Sequence, residues 1–381
     1  MTLSEPAKRK WIGITAVAVS TALTAVAFYL LMAPSGPMLG VPDDHLEVAE
    51  AAYATLPEPF MVAGEAAGQD NSAKNVRLWE VVRQVALIGK PLGQDLGCGP
   101  QQTGDCVSWG ICCARNTRLC IQVFKGEANG NSAVSFPPYD YGIARRHADQ
   151  MGLRMLPCDR YGGAYPSVAA IGTKTWGFLT VSDNPPQYSG SLARTWGCNG
   201  VPENFRTIGR QRAGGDVYPI RSVEELRDAI CNSFPCTIAT RFSPGDRYTI
   251  DGRGCLRWNG PMLGGHQMCV TGYDGSLGVG HEYFFIQNSH GPNASASAPP
   301  QQGEPRGGFW IPLSLARQWL VKGECWAMSD VAGFPAEDKI DWSLFDQFKV
   351  QAMQKEIKDA VPNGPVDNRR AERGTGRLLA L

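Results

Sequence analysis

The chain has 381 residues, enough for one large domain or two medium ones with a buried core, and its 43% apolar and 19% charged content is that of a globular protein. Lysine plus arginine and aspartate plus glutamate number 36 each, so the formal charge is zero. That balance argues against an electrostatic nucleic-acid binder, which needs a basic excess on some face. Neither a zinc-finger spacing nor a phosphate-cradling Gly-rich loop occurs, so no nucleic-acid partner, metal or cofactor is expected.

In chain order, residues 1–10 are basic at Lys8, Arg9 and Lys10, and residues 11–32 (WIGITAVAVSTALTAVAFYLLM) carry no charge. At about 1.5 Å per residue this run spans roughly 33 Å as a helix, the thickness of a bilayer core. The positive-inside rule then puts residues 1–10 in the cytoplasm and everything after the span outside. A cleaved signal peptide and secretion are the alternative, disfavoured by the length of the run and by the lack of a clear small-residue cleavage site. Residues 33–75, rich in Pro, Gly, Ala and acidic side chains, read as a linker, with an inhibitory propeptide as the less favoured reading because strong helical patterning is missing.

A globular domain is expected over residues 76–335. VRLWEVVRQVALIG has helical apolar spacing and leads through the loop GCGPQQTG to DCVSWGICCARNTRLCIQVF, where apolar residues recur at three- and four-residue steps. Asp105 stands where an N-cap would, which puts Cys106 in the first helical turn. Residues 130–220 read as loop-rich. Ser222 and Glu225 form a capping box that opens a short helix. Thereafter CTIATRF, MCVTGYDG, EYFFIQNSHG and GGFWIPL read as strands. Residues 336–381 are expected to hold one more helix and a disordered tail. Helices first and strands later is an α+β order. The 12 cysteines are expected as disulfides or buried thiols in a compartment that permits oxidation.

Three segments carry chemistry. In QQTGDCVSWG a cysteine begins a helix, where N–H groups and the macrodipole favour a thiolate. Gln101 or Gln102 and the Cys106 backbone N–H can serve as oxyanion donors. In GGHQMCVTGYD, His266 opens a strand, and the preceding Gly265 leaves room for a substrate. In FFIQNSHG, Asn288 ends a strand, where its amide can fix the tautomer of a histidine. The order is Cys106, His266, then Asn288, with the histidine 160 residues after the cysteine. It is the order of a nucleophile, its base and the group that orients the base.

These segments resemble the active-site segments of the papain-like cysteine peptidase clan, in particular its divergent bacterial and viral members. The likeness runs in patches from about Leu78 to Asp330. It implies a two-lobe fold, a helical lobe and a β-barrel lobe, behind the N-terminal transmembrane helix. It further implies catalysis by Cys106, His266 and Asn288 through a thioester acyl-enzyme on a peptide or protein substrate. The family's oxyanion glutamine falls on Pro100, so Gln101, one place on, is preferred over Gln102. The aromatic residue after the family's cysteine is Val107 here, with Trp109 two places further on, and the tryptophan after Asn-Ser is His290. Trp109 and His290 are therefore candidates for substrate contact or for tuning the site. The implied resting state is a Cys106 thiolate beside a His266 imidazolium. Acyl or peptide transfer on the same scaffold, or a scaffold that binds without catalysis, are the alternatives.

Overall fold

A computed structural model describes residues 41–328, apart from 43–44, 54–70, 73, 88–98, 127–133, 154–161, 214, 216, 242–247, 251–255, 259–264, 277, 279 and 292–302. The apolar run 11–32 and the C-terminal stretch 336–381 lie outside the described residues. No helix among the described residues is long and apolar enough to cross a membrane.

The architecture is α+β, a helical part followed by an antiparallel sheet. The helices are α1 (His45–Tyr53), α2 (Leu78–Leu87), α3 (Cys106–Phe124), α4 (Pro137–Gln150), α5 (Pro166–Trp176), α6 (Gly190–Asn199), α7 (Glu203–Arg210), α8 (Val223–Cys231) and α9 (Leu313–Val321). The strands are β1 (Asn75–Arg77), β2 (Val217–Pro219), β3 (Cys236–Arg241), β4 (Tyr248–Ile250), β5 (Leu256–Trp258), β6 (Gly265–Asp274), β7 (Tyr283–Gln287), β8 (Gly308–Pro312) and β9 (Glu324–Met328). Seven strands form one sheet in the order β2-β9-β3-β6-β7-β8, with β1 joined to the far end of β6, and β4 and β5 pair separately. Every pairing is antiparallel.

The long helix α3 is buried along nearly its whole length and lies on β6. Val107, Ile111, Cys113 and Ala114 from the helix share one apolar cluster with Ala239, Cys269 and Trp326 from the sheet. Arg115 of α3 makes a bidentate ion pair with Asp140 of α4, at 2.7 and 3.0 Å, which ties the helical part together. The capping box at α8 forms half as expected. Ser222 Oγ accepts from the Glu225 N–H at 3.1 Å, but the Glu225 carboxylate reaches Arg221 N instead of the Ser222 N–H.

Two sequence expectations need correction. Residues 137–210, within the stretch read as loop-rich, hold four helices. Pro137 and Pro166 open two of them at the first turn, where proline's missing N–H costs nothing. Part of the expected linker is docked on the body. Val41 is buried, α1 packs on α5, and Val48 of α1 lies against a cluster of Ala148, Tyr165 and Val168. Both forms expected of the cysteines occur: eight (106, 112, 113, 120, 231, 236, 269 and 325) are buried thiols, and Cys198 is disulfide-bonded. The other three, Cys98, Cys158 and Cys255, fall outside the described residues.

One buried carboxyl sets an expectation for stability. Glu324 sits in the sheet opposite Ala239 and is 1% exposed, and its Oε2 accepts from the Trp326 indole N–H at 2.9 Å. Burial lifts its pKa to about 8, and the indole contact pushes the other way. The folded-state pKa lies above that of the unfolded chain, so the fold is unaffected below pH ~4.5 and loses stability as pH rises from there towards ~8. The full loss is on the order of 5 kcal/mol. Glu324→Gln is therefore expected to raise the melting temperature at pH 8, to leave it near wild type at pH 4.5, and to flatten the slope between. Thermal melts of both proteins at the two pH values check this. A variant that melts lower at both pH values would contradict it.

Candidate active site

Cys106 is the first residue of α3 and is fully buried. Asp105 stands at the N-cap position, yet its side chain makes no capping hydrogen bond. The Asp105 carboxylate turns instead to Tyr188, whose hydroxyl donates to Oδ2 at 3.1 Å. The cap expected from the sequence is thus present in position and absent in chemistry.

His266 is the second residue of β6, and Asn288 follows directly on β7. Pairing of the two strands sets Cys269 opposite Gln287 and so carries the start of one strand to the end of the other. There His266 Nε2 meets Asn288 Oδ1 at 2.8 Å. An amide oxygen only accepts, so Nε2 carries the proton and Nδ1 is the nitrogen left for chemistry. Asn288 Oδ1 is itself held by the Ser289 N–H at 2.7 Å.

One hydrogen bond links the cysteine side of the site to the histidine side. Gln267, next to His266, donates from Nε2 to the carbonyl of Val107, next to Cys106, at 3.1 Å. One turn on, a Cβ added to Gly110 would come within 2.9 Å of Gln267 Cγ, so the helix rests directly on that side chain. The backbone segments that carry Cys106 and His266 are thereby tied to one another.

The two glutamines proposed as oxyanion donors point to opposite sides. Gln101 is buried and turned to the sheet. Its N–H donates to Ser289 O at 3.0 Å, its Oε1 accepts from Ser289 Oγ at 2.7 Å, and its Nε2 donates to Thr103 O at 2.7 Å. Gln102 is exposed and turned to the helical part, where its Oε1 accepts from Gly190 N at 3.0 Å. Gln101 is therefore the glutamine beside His266 and Asn288, and Gln102 is not part of that group. Trp109 packs edge-on against Tyr188, with centroids 5.1 Å apart, and its ring fills the place a side chain on Gly99 would take. It supports the loop from beneath.

His290 stacks on His266, with ring centroids 4.5 Å apart and planes 21° from parallel, and its backbone bridges to Pro100. Burial pulls the His266 pKa down to about 4, while the Asn288 hydrogen bond pushes it up. His290 is lowered by burial and then by its neighbour's charge. Burial at this depth thus favours the neutral imidazole, whereas the family resemblance implies an imidazolium. The physical reason is the missing water: a charged ring at this depth has lost its hydration.

Val41 lies beside the start of the same strand, β6. Its N–H donates to Gly265 O at 3.2 Å in an antiparallel bridge, and the residue shares the apolar cluster of Cys106 and Val107. A Cβ on Gly265 would come within 2.5 Å of Val41 Cβ. The room that Gly265 was expected to leave for a substrate is occupied by Val41.

Sequence reasoning missed Tyr188, Ser289, Gln267 and Val41. Ser289 and Gln267 lay inside the quoted motifs and could have been found there. Tyr188 and Val41 carry no local signal.

No protein-family model and no curated protein sequence matches the chain. Among solved structures, it is similar to xylellain, a cysteine protease from Xylella fastidiosa, with 13% identity over 78% of this chain and 97% of that one, and a TM-score of 0.47. It is also similar to proCathepsin B S9 from Trypanosoma congolense, with 11% identity over 70% and 80% of the two chains and a TM-score of 0.44. A third similar structure is digestive procathepsin L 3 of Tenebrio molitor larval midgut, with 14% identity over 86% and 94% and a TM-score of 0.45.

Proposed function

We propose that the chain is a cysteine peptidase that hydrolyses peptide bonds, with Cys106 as nucleophile, His266 as acid–base and Asn288 as the group that orients it. The observation that carries the reading is the His266–Asn288 hydrogen bond, held by Gln267 against the first turn of the helix that begins at Cys106. His266 Nδ1 takes the thiol proton, and the helix N-terminus stabilises the thiolate. The sulfur attacks the peptide carbonyl carbon, and the oxyanion is met by the Cys106 N–H and the Gln101 amide. The C–N bond breaks as His266 returns the proton to the leaving amine, and water then cleaves the thioester. His290 and Trp109 support the site, His290 by stacking on the base and Trp109 by packing the loop. The apolar run 11–32 is proposed, on sequence alone, as a membrane anchor with the catalytic body outside.

The test is labelling with an epoxysuccinyl peptide across pH 4–9, with mass mapping, on wild type and His266→Ala. Cys106 is expected to label ahead of the seven other buried thiols among the described residues and to lose that lead in the variant. A Cys106 that labels no faster than its buried neighbours, with or without His266, would sink the proposal.

A further inference from the structure

The loop before the nucleophile is pinned from two sides by different chemistry. On the sheet side, Gln101 is bonded to Ser289 through both backbone and side chain, and Pro100 bridges to His290. On the helical side a single hydroxyl does most of the holding. Tyr188 OH accepts from the Gln102 N–H at 3.0 Å and from the Trp109 indole N–H at 3.4 Å, and it donates to Asp105 Oδ2 at 3.1 Å. A phenol has one proton to give and two lone pairs to offer, so this hydroxyl is fully used.

The Asp105 contact matters most. The peptide joining Asp105 to Cys106 carries the backbone N–H that meets the oxyanion. The carbonyl of Asp105 already accepts from Ser108 N at 3.1 Å and Trp109 N at 3.3 Å, the first bonds of the helix. Its carboxylate, fully buried, is anchored to Tyr188. Residue 105 is therefore fixed both through its main chain and through its side chain, and the plane of the following peptide is fixed with it. Asp105 Oδ1 has no hydrogen-bond partner, and of the groups that hold the carboxyl, Tyr188 acts most strongly, ahead of the Trp109 indole and the Thr103 backbone. Burial raises this carboxyl to about 7, against the pull of the Tyr188 hydrogen bond.

We propose that Tyr188 is a positioning residue for the oxyanion donors: its hydroxyl clamps Gln102 and Asp105 so that the Cys106 N–H and Gln101 keep the register the transition state needs. The inference rests on the peptidase reading above and assigns a role to a residue outside its catalytic set. The clamp acts on hydrogen-bond donors that matter only when a carbonyl becomes tetrahedral. Alkylation of the thiolate by iodoacetamide forms no oxyanion and does not need them.

The experiment uses the full chain, with Tyr188→Phe, Asp105→Asn and the double variant. Quenched fluorescent casein is the substrate, and iodoacetamide, with mass mapping of Cys106, is the thiolate probe. Tyr188→Phe is expected to lower kcat about 10- to 100-fold with KM changed less than about 3-fold, the scale of losing donor alignment. Its Cys106 alkylation rate should stay within about 2-fold of wild type, as should its melting profile. Asp105→Asn keeps an acceptor for the phenol and should lose much less. The double variant should match Tyr188→Phe, because the two groups act as one unit. A kcat within about 2-fold of wild type overturns the clamp. So does an alkylation rate that falls in step with kcat, since the hydroxyl would then be supporting the thiolate or the fold. A wild type that neither cleaves casein nor alkylates selectively at Cys106 overturns the peptidase reading itself, and the role of Tyr188 goes with it.

Discussion

His266→Ala is expected to cut peptide hydrolysis, as kcat/KM, by at least about 1,000-fold, and Cys106→Ala to abolish it. Without the imidazole no group bonded to Asn288 is left to take the thiol proton or return it to the leaving amine. Asn288→Ala should cost less, about 10- to 100-fold, because it removes one hydrogen bond to a ring that becomes charged, worth about 1.5–3 kcal/mol. The sign of its second effect is fixed as well. The Asn288 contact raises the His266 pKa, so its loss should move the acidic limb of the rate profile, where the base protonates, to lower pH. The double variant His266→Ala/Asn288→Ala should be no worse than His266→Ala alone, since Asn288 acts only through the ring. Steady-state hydrolysis of quenched casein from pH 4 to 9 measures all of these. An Asn288→Ala loss that adds fully to that of His266→Ala would show that the amide acts on something other than His266.

The candidate site was legible where chemistry and local structure coincide within a few residues. A cysteine at the first position of an amphipathic helix, a histidine after paired glycines and an asparagine at a strand end each announce themselves locally. The contacts that assemble them do not. Gln267 to Val107 spans 160 residues and Asp105 to Tyr188 spans 83, and no periodicity records either. The helices between 137 and 210 were misread for a related reason. Gly142 and Gly197 break the helical pattern in the sequence, yet α4 and α6 cross there. A Cβ at Gly142 would come within 2.6 Å of Val201 and one at Gly197 within 2.5 Å of Tyr141. Glycines that look like loop residues are here the points where two helices come close. Likewise the Pro- and acid-rich run after residue 33 reads as a linker by composition. Its docking depends on single residues, Val41 against Gly265 and Val48 against Tyr165, that composition does not single out.

Val41→Asp is expected to raise the rate at which iodoacetamide alkylates Cys106 by 10-fold or more, and to carry measurable alkylation down to about pH 5. Two effects of burial stand behind this. Val41 covers Gly265 and joins the cluster around Cys106, which narrows access to the thiol. The same exclusion of water pulls His266 to about 4, so above that pH the covered ring is neutral. A carboxylate at position 41 cannot stay in that cluster without its hydration, and the segment should leave. Rehydrated, His266 returns towards the ordinary range near 6.5, and around pH 5 it is then an imidazolium able to pair with the thiolate. Alkylation of wild-type Cys106, still ahead of the other buried thiols, should instead fall away below neutral pH. Global unfolding is a separate outcome with its own signature, because it would expose all eight buried thiols together, whereas local opening exposes Cys106 alone. Mass mapping after a short pulse tells the two apart. Selective labelling of Cys106 in Val41→Asp means that the N-terminal segment closes the site. Labelling no faster than wild type means that Cys106 is buried by the helices and the sheet themselves, and that Val41 only pads the edge of the sheet.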